Sequence, residues 1–132
     1  MSVPCEVAVK CVLPVVRAMI ARELIVSHGL RQVEAAQLLG VSQPAISLYC
    51  RNIRGKAIDL ENDRDVKRLV ANMSESLAKG GSSHRDLIVM YCGVCRTIRA
   101  KGLLCKLHKT FDPLVDIENC ELCVASESVR CV

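Results

Sequence analysis

The sequence is nearly empty of aromatic residues: no Trp, one Phe and two Tyr in 132 positions. Any core must therefore be filled by Val, Leu, Ile, Ala and Met. Long apolar runs are also missing, and none reaches the about 18 residues that a membrane span needs. The first residues, Met1-Ser2-Val3-Pro4-Cys5, lack the basic segment and apolar stretch of a secretory signal. Both absences point to a cytoplasmic chain that does not engage a membrane. Catalytic signatures are missing as well. There is no Gly-rich phosphate loop, no nucleophile elbow and no carboxylate pair placed for a cleft. A thiol redox enzyme would set its Cys-x-x-Cys after a strand in a βαβ pattern, and neither pair here is so placed. The expectation is a protein that is not an enzyme.

Net charge is a modest +4, but it is unevenly distributed. Residues 1–56 carry seven Lys/Arg and three Asp/Glu, which leaves +4; residues 57–132 carry eleven of each and are neutral. The excess positive charge thus lies wholly on the first part of the chain, as a phosphate-facing surface requires.

That part contains the most informative stretch, Leu30 to Tyr49. Ala35, Leu38 and Leu39 sit at helical spacing. Gly40 follows where a helix C-terminus favours a residue that tolerates left-handed φ. Val41 reads as a buried plug. Ser42 is an N-cap, and Pro44 suits the first turn of a second helix, where its missing N–H costs nothing. Ala45, Ile46 and Tyr49 turn a second face inward. Through Gln32, Ala36, Leu39-Gly40-Val41-Ser42-Gln43 and Ile46-Ser47, the stretch resembles the helix-turn-helix of the lambda-repressor-like DNA-binding domains. In that family the second helix lies in the major groove and reads bases near its N-terminus. The resemblance implies that Gln43 is the main base reader, since a Gln amide bonds bidentately to adenine. Ser42 opens the same helix, and Ser47 lies one turn further along the same groove. Gln32 would brace Gln43 or bond a phosphate. Arg51, Arg54 and Lys56 follow closely and suit phosphate contacts.

Around this stretch, residues 2–10 alternate weakly through Val3, Cys5, Val7 and Val9, and read as a short strand or an arm. Pro14 to His28 reads as a long amphipathic helix, started by Pro14 and stopped by Gly29. Asp59 to Lys79 reads as a further helix, capped near Asp59 or Asn62. Its stripe of Val66, Leu69, Val70, Met73 and Leu77 is either core or, with the cysteine-rich module, the face of a homodimer reading a pseudo-palindromic site in double-stranded DNA. Gly80-Gly81-Ser82-Ser83 marks a hinge, and Ser83 with Asp86 forms a variant capping box opening a helix that stops at Gly102. The expected fold class is all-α. A helix-turn-helix bundle of about four helices occupies residues 1–79, and a small helical, cysteine-rich, metal-binding module occupies residues 80–132.

Nine cysteines are many for a chain of this size, and six of them crowd the last forty-one residues. Disulfides are disfavoured in most cytosols, so metal chemistry is the leading explanation. Cys92-x-x-Cys95 and Cys120-x-x-Cys123 are two pairs separated by twenty-four residues, with Cys105 and His108 between them and Cys131 beyond. Zinc would take four of these ligands, either the two pairs or Cys92, Cys95, Cys105 and His108. An iron–sulfur cluster would take four thiolates. Cys5, Cys11 and Cys50 are isolated, and read as small apolar residues dispensable for metal.

Pro4-Cys5-Glu6, Leu13-Pro14-Val15-Val16-Arg17, the helix-turn-helix, the Cys-x-x-Cys and Gly102-Leu103-Leu104-Cys105 together resemble a group of archaeal predicted transcriptional regulators. The first half is also similar to archaeal regulators that carry a thiamine-phosphate-synthase-like domain, a likeness that ends near Gly81. The first resemblance implies a cysteine-ligated cluster, [4Fe–4S] in type, coupled to operator binding; by spacing, Cys92, Cys95, Cys120 and Cys123, with Cys105 as the remaining candidate, are the residues placed to hold it. The expected function is a sequence-specific transcription regulator that senses redox state, oxygen or iron. The alternative is a DNA-binding regulator with a purely structural zinc site.

Overall fold

The computed structural model describes residues 3–114. Among them the fold is all-α, with no strand. Pro4–Val7 (α1), a wide π-helical turn over Ala8–Val12 and Leu13–Val26 (α2) run as one unbroken helix. The short strand or arm expected near the N-terminus is therefore helical. Pro4 sits in the first turn, and the Glu6 carboxylate accepts the Val3 N–H at 3.1 Å. Val7, Ala8, Cys11, Val12, Val15, Val16 and Met19 are all buried, which is the 3–4 spacing of a helix rather than the alternation of a strand. Pro14 does not start this helix. It lies inside it, where it has no N–H to donate and its ring would strike the carbonyl four residues back. The widened turn just before it, closed by the Leu13 N–H on the Ala8 carbonyl, lets the helix pass the proline.

Gln32–Leu39 (α3) and Gln43–Cys50 (α4) follow, then Arg64–Lys79 (α5), His84–Ala100 (α6) and Cys105–Phe111 (α7). The start of α5 is later than expected. Asp63 is the N-cap, accepting from the N–H groups of Asp65 and Val66 at 3.0 Å each. Asp59 instead stabilises a local turn through the Glu61 N–H and the Asn62 side chain. Ser83 caps α6 and exchanges hydrogen bonds with Asp86, as the capping-box pattern predicts.

Helix α2 is the spine. It packs against α3, α4 and α5, while α5 packs against α6 and α1 against α7. Val12, Val16, Ile20 and Leu24 from the spine meet Ala35, Ile46, Leu60, Val66 and Met73 in one continuous core. Val94, Ile98 and Leu104, beyond the Gly80-Gly81 turn, belong to the same core. The stripe on α5 is core: Val66, Val70, Met73 and Leu77 are buried and Leu69 is half-buried. It is therefore not a dimer face. Val41 is only half-buried, packed at the edge of the core rather than plugged into it.

Candidate nucleic-acid interface

The turn between α3 and α4 is built from local chemistry. Gly40 takes φ +68°, and its N–H reaches back to the Ala36 carbonyl. Val41 donates to that same carbonyl at 3.1 Å. The Ser42 hydroxyl accepts the Ala45 N–H at 3.2 Å, and Pro44 occupies the first turn of α4. Ala45, Ile46 and Tyr49 face inward and are buried. The opposite side of α4 is thereby turned outward, with Gln43 exposed at its N-terminus and Ser47 half-buried one turn on.

Gln43 is held rather than loose. Its Nε2 donates to the Gln32 Oε1 at 2.6 Å, joining the first residues of α3 and α4. The bracing role foreseen for Gln32 is thus a direct amide–amide contact. It uses one N–H of Gln43 and leaves its carbonyl oxygen and second N–H for other partners. Those are the two groups that a bidentate contact to adenine requires. Ser42 is exposed, but its hydroxyl is engaged as the cap.

Arg51, Arg54 and Lys56 are exposed on the segment that leaves α4. Among the described residues none of the three is in an ion pair. The Arg54 guanidinium lies 6.0 Å from the centre of the Tyr49 ring, at the outer limit of a cation–π contact. Gly55 shapes this segment. Its φ is +72°, and an added Cβ would lie 2.6 Å from the Pro14 carbonyl oxygen and 2.8 Å from the Ala18 Cβ. At Gly55 the cationic segment therefore rests directly on α2.

Arg22 carries no signal in the sequence that singles it out. The Arg22 guanidinium donates to the Tyr49 carbonyl at 3.2 Å, to Asn52 Oδ1 at 3.3 Å and to Glu61 at 2.6 Å. It thus adds a side-chain donor to a carbonyl in the last turn of α4 and ties that end to α2. A cleft of about 480 Å³ opens beside this clamp, lined by Arg22, Cys50, Asn52, Lys56, Asp59 and Glu61 among others. A second missed tie is Lys101 at the end of α6, 2.9 Å from Asp63 and 2.7 Å from Asp65. Hydrogen bonding to the ammonium holds both carboxyls below their ordinary range and raises Lys101.

At the cysteine-rich end, Cys92 and Cys95 lie three residues apart on α6 and Cys105 opens α7; all three are half-buried. Among the described residues no group of three or more His, Cys, Asp or Glu side chains is gathered to hold a metal ion. Cys120, Cys123 and Cys131 lie outside the described residues. The described thiols therefore do not make a complete centre by themselves. Three polar residues of this end are buried: Arg99 on α6, His108 on α7 and Asp112 just after α7. Of these only His108 was singled out by spacing. Arg99 donates to the Cys5 Sγ at 3.7 Å, so Cys5 sits against the cysteine-rich end although it is far away in sequence. No protein-family model, curated protein or solved structure matches the chain.

Proposed function

We propose that the chain is a sequence-specific DNA-binding transcription regulator, with α4 as the helix that enters the major groove. The observation that carries this reading is the Gln32–Gln43 bond: an exposed amide at the N-terminus of an outward-facing helix, fixed in orientation with its adenine-reading groups open. Three exposed cations, Arg51, Arg54 and Lys56, lie just beyond that helix, as backbone contacts require. Gln43 and Ser47 read bases, Gln32 positions Gln43, and Ser42 fixes the helix start. One such unit buries little surface, so the active form is a homodimer on a pseudo-palindromic site in double-stranded DNA. With the α5 stripe inside the core, the dimer contact falls on another surface.

We also propose that four thiolates drawn from Cys92, Cys95, Cys105, Cys120 and Cys123 hold an iron–sulfur cluster of [4Fe–4S] type, with zinc as the alternative. Support comes from the donor set: two thiols on one face of α6 and a third at the start of the next helix. Such a cluster, when bound, supplies a centre whose integrity depends on oxygen, redox state and iron. The chain's own residues hold the thiols on packed helices joined to the rest of the core through Val94 and Ile98. Selection of duplexes from a random pool tests the DNA reading, with enrichment of one motif expected. Iron and sulfide content of protein made without oxygen tests the cluster. Iron with matching sulfide supports it, and zinc without sulfide selects the alternative.

A further inference from the structure

Resting on the reading that α4 binds DNA and the cysteine-rich end senses, we infer that the unbroken helix Pro4–Val26 is the rod that couples the two ends. The obvious route between them is the chain itself, through Gly80 and Gly81. Both take positive φ, and the turn they form is a poor transmitter. Beside the packing of α6 on α5, the N-terminal helix offers a second packed route. At its start, α1 lies on α7, and Cys5 is 3.7 Å from the guanidinium of Arg99, a buried side chain of α6. In its middle, the Pro14 carbonyl and Ala18 are the seat on which Gly55 presses, so a shift of the helix moves the segment that bears Arg51, Arg54 and Lys56. Towards its far end, Arg22 grips the Tyr49 carbonyl in the last turn of α4. Cys5 to Arg22 spans ~25 Å at the helical rise, so the rod reaches from one site to the other.

The π-helical turn over Ala8–Val12 gives the rod two parts. Its hydrogen bonds are wider than those of the α-helix on either side, and the turn lies between the Cys5 contact and the Gly55 seat. A change at the cysteine-rich end that moves α1 is passed through this turn to α2, and from α2 to the recognition helix and the cationic segment together. The coupling is reciprocal. On this rod, DNA that fixes α4 and the segment after it is expected to hold α1 more firmly against α7 and Arg99.

Reciprocity makes the inference testable without any metal. Cys5 is half-buried and reports on the α1 end. Its alkylation by iodoacetamide is followed peptide by peptide by mass spectrometry, with and without a saturating mixed-sequence duplex at low salt. In the full chain the duplex should slow Cys5 alkylation about fivefold, the lower range of couplings between distant sites. In Arg22→Gln, titrated until equally saturated, the slowing should fall to less than about twofold. Lys79→Gln, which removes only a surface pair with Glu75, should keep the full effect. An unchanged Cys5 rate in the full chain overturns the rod, and so does an undiminished effect in Arg22→Gln. Failure of the duplex to bind at all would instead remove the DNA reading on which the rod stands.

Discussion

Replacing Gly55 by Ala separates two physical costs that the structure places at one residue. Its φ of +72° costs a residue with a Cβ roughly 1–2 kcal/mol. The new methyl would also sit 2.6 Å from the Pro14 carbonyl oxygen and 2.8 Å from Ala18, both on the rigid spine helix. Forcing a methyl into such a site costs about 1–3 kcal/mol more. Gly55→Ala should therefore lose roughly 2–5 kcal/mol, a large part of the ~5–15 kcal/mol that holds a domain folded. Gly40 is the internal control. Its φ is nearly the same at +68°, but nothing lies within 4 Å of an added Cβ. Gly40→Ala should show the first cost and not the second. Urea unfolding of both variants beside the parent, with a common slope, reads the difference from the midpoints. Equal losses in the two variants, within roughly 0.5 kcal/mol, would refute the close seating of the cationic segment on α2.

Three further outcomes follow from the same contacts. Arg54→Ala should weaken binding to all duplexes and lower the salt dependence by about one unit of slope, read by anisotropy titrations over a salt series; loss on one sequence only would contradict a phosphate role. Asp63 and Asp65 are held below 3.8, so their pairing with Lys101 stabilises the fold above the ordinary carboxylate range and is lost as pH falls through the lowered values. Lys101→Met should be less stable near neutrality and should lose stability less steeply below about pH 3.8, and thermal unfolding over an acid series that superimposes on the parent would count against the tie. Cys92→Ser or Cys95→Ser should abolish the iron and sulfide of protein made without oxygen while α2 to α4 stay helical by circular dichroism, whereas full iron in either variant removes that residue as a ligand.

The parts of the fold legible in the sequence are those whose causes are local. Gly40, Ser42 and Pro44 each act within four residues of themselves, and their turn and caps stand where the pattern puts them. Ser83 with Asp86 is the same case. Pro14 misleads for a physical reason. A proline usually opens a helix, and here a widened turn absorbs it, so the helix continues back through α1 to Pro4 along residues that alternate weakly enough to resemble a strand. Asp59, Asn62 and Asp63 are all good caps by type, and Asp63 is the one that caps, with Val66 buried three residues on and Lys101 bonded to its carboxylate. Arg22 and Lys101 could not be read because their partners are distant: Tyr49, Asn52 and Glu61 lie 27 to 39 residues from Arg22, and Asp63 lies 38 from Lys101. The contact of Arg99 with Cys5 spans 94 residues and has no local signal. The Gln32–Gln43 contact, eleven residues apart, was reached only through the resemblance to a known motif.

The central claim is that Gln43, positioned by Gln32, reads sequence from the start of α4. Parallel selection from a random duplex pool with the parent chain and with Gln43→Ala tests it most directly, followed by titration of each protein on the selected duplex and on a scrambled one. The exposed amide carries no core contact, so the variant should fold as the parent does. Its affinity for the selected duplex should fall by the ~1–3 kcal/mol of one bidentate base contact, with preference relaxed at a single base pair per half-site. Its affinity for the scrambled duplex should be unchanged. An equal loss on both duplexes, or the same motif selected with the same stringency, would contradict the claim.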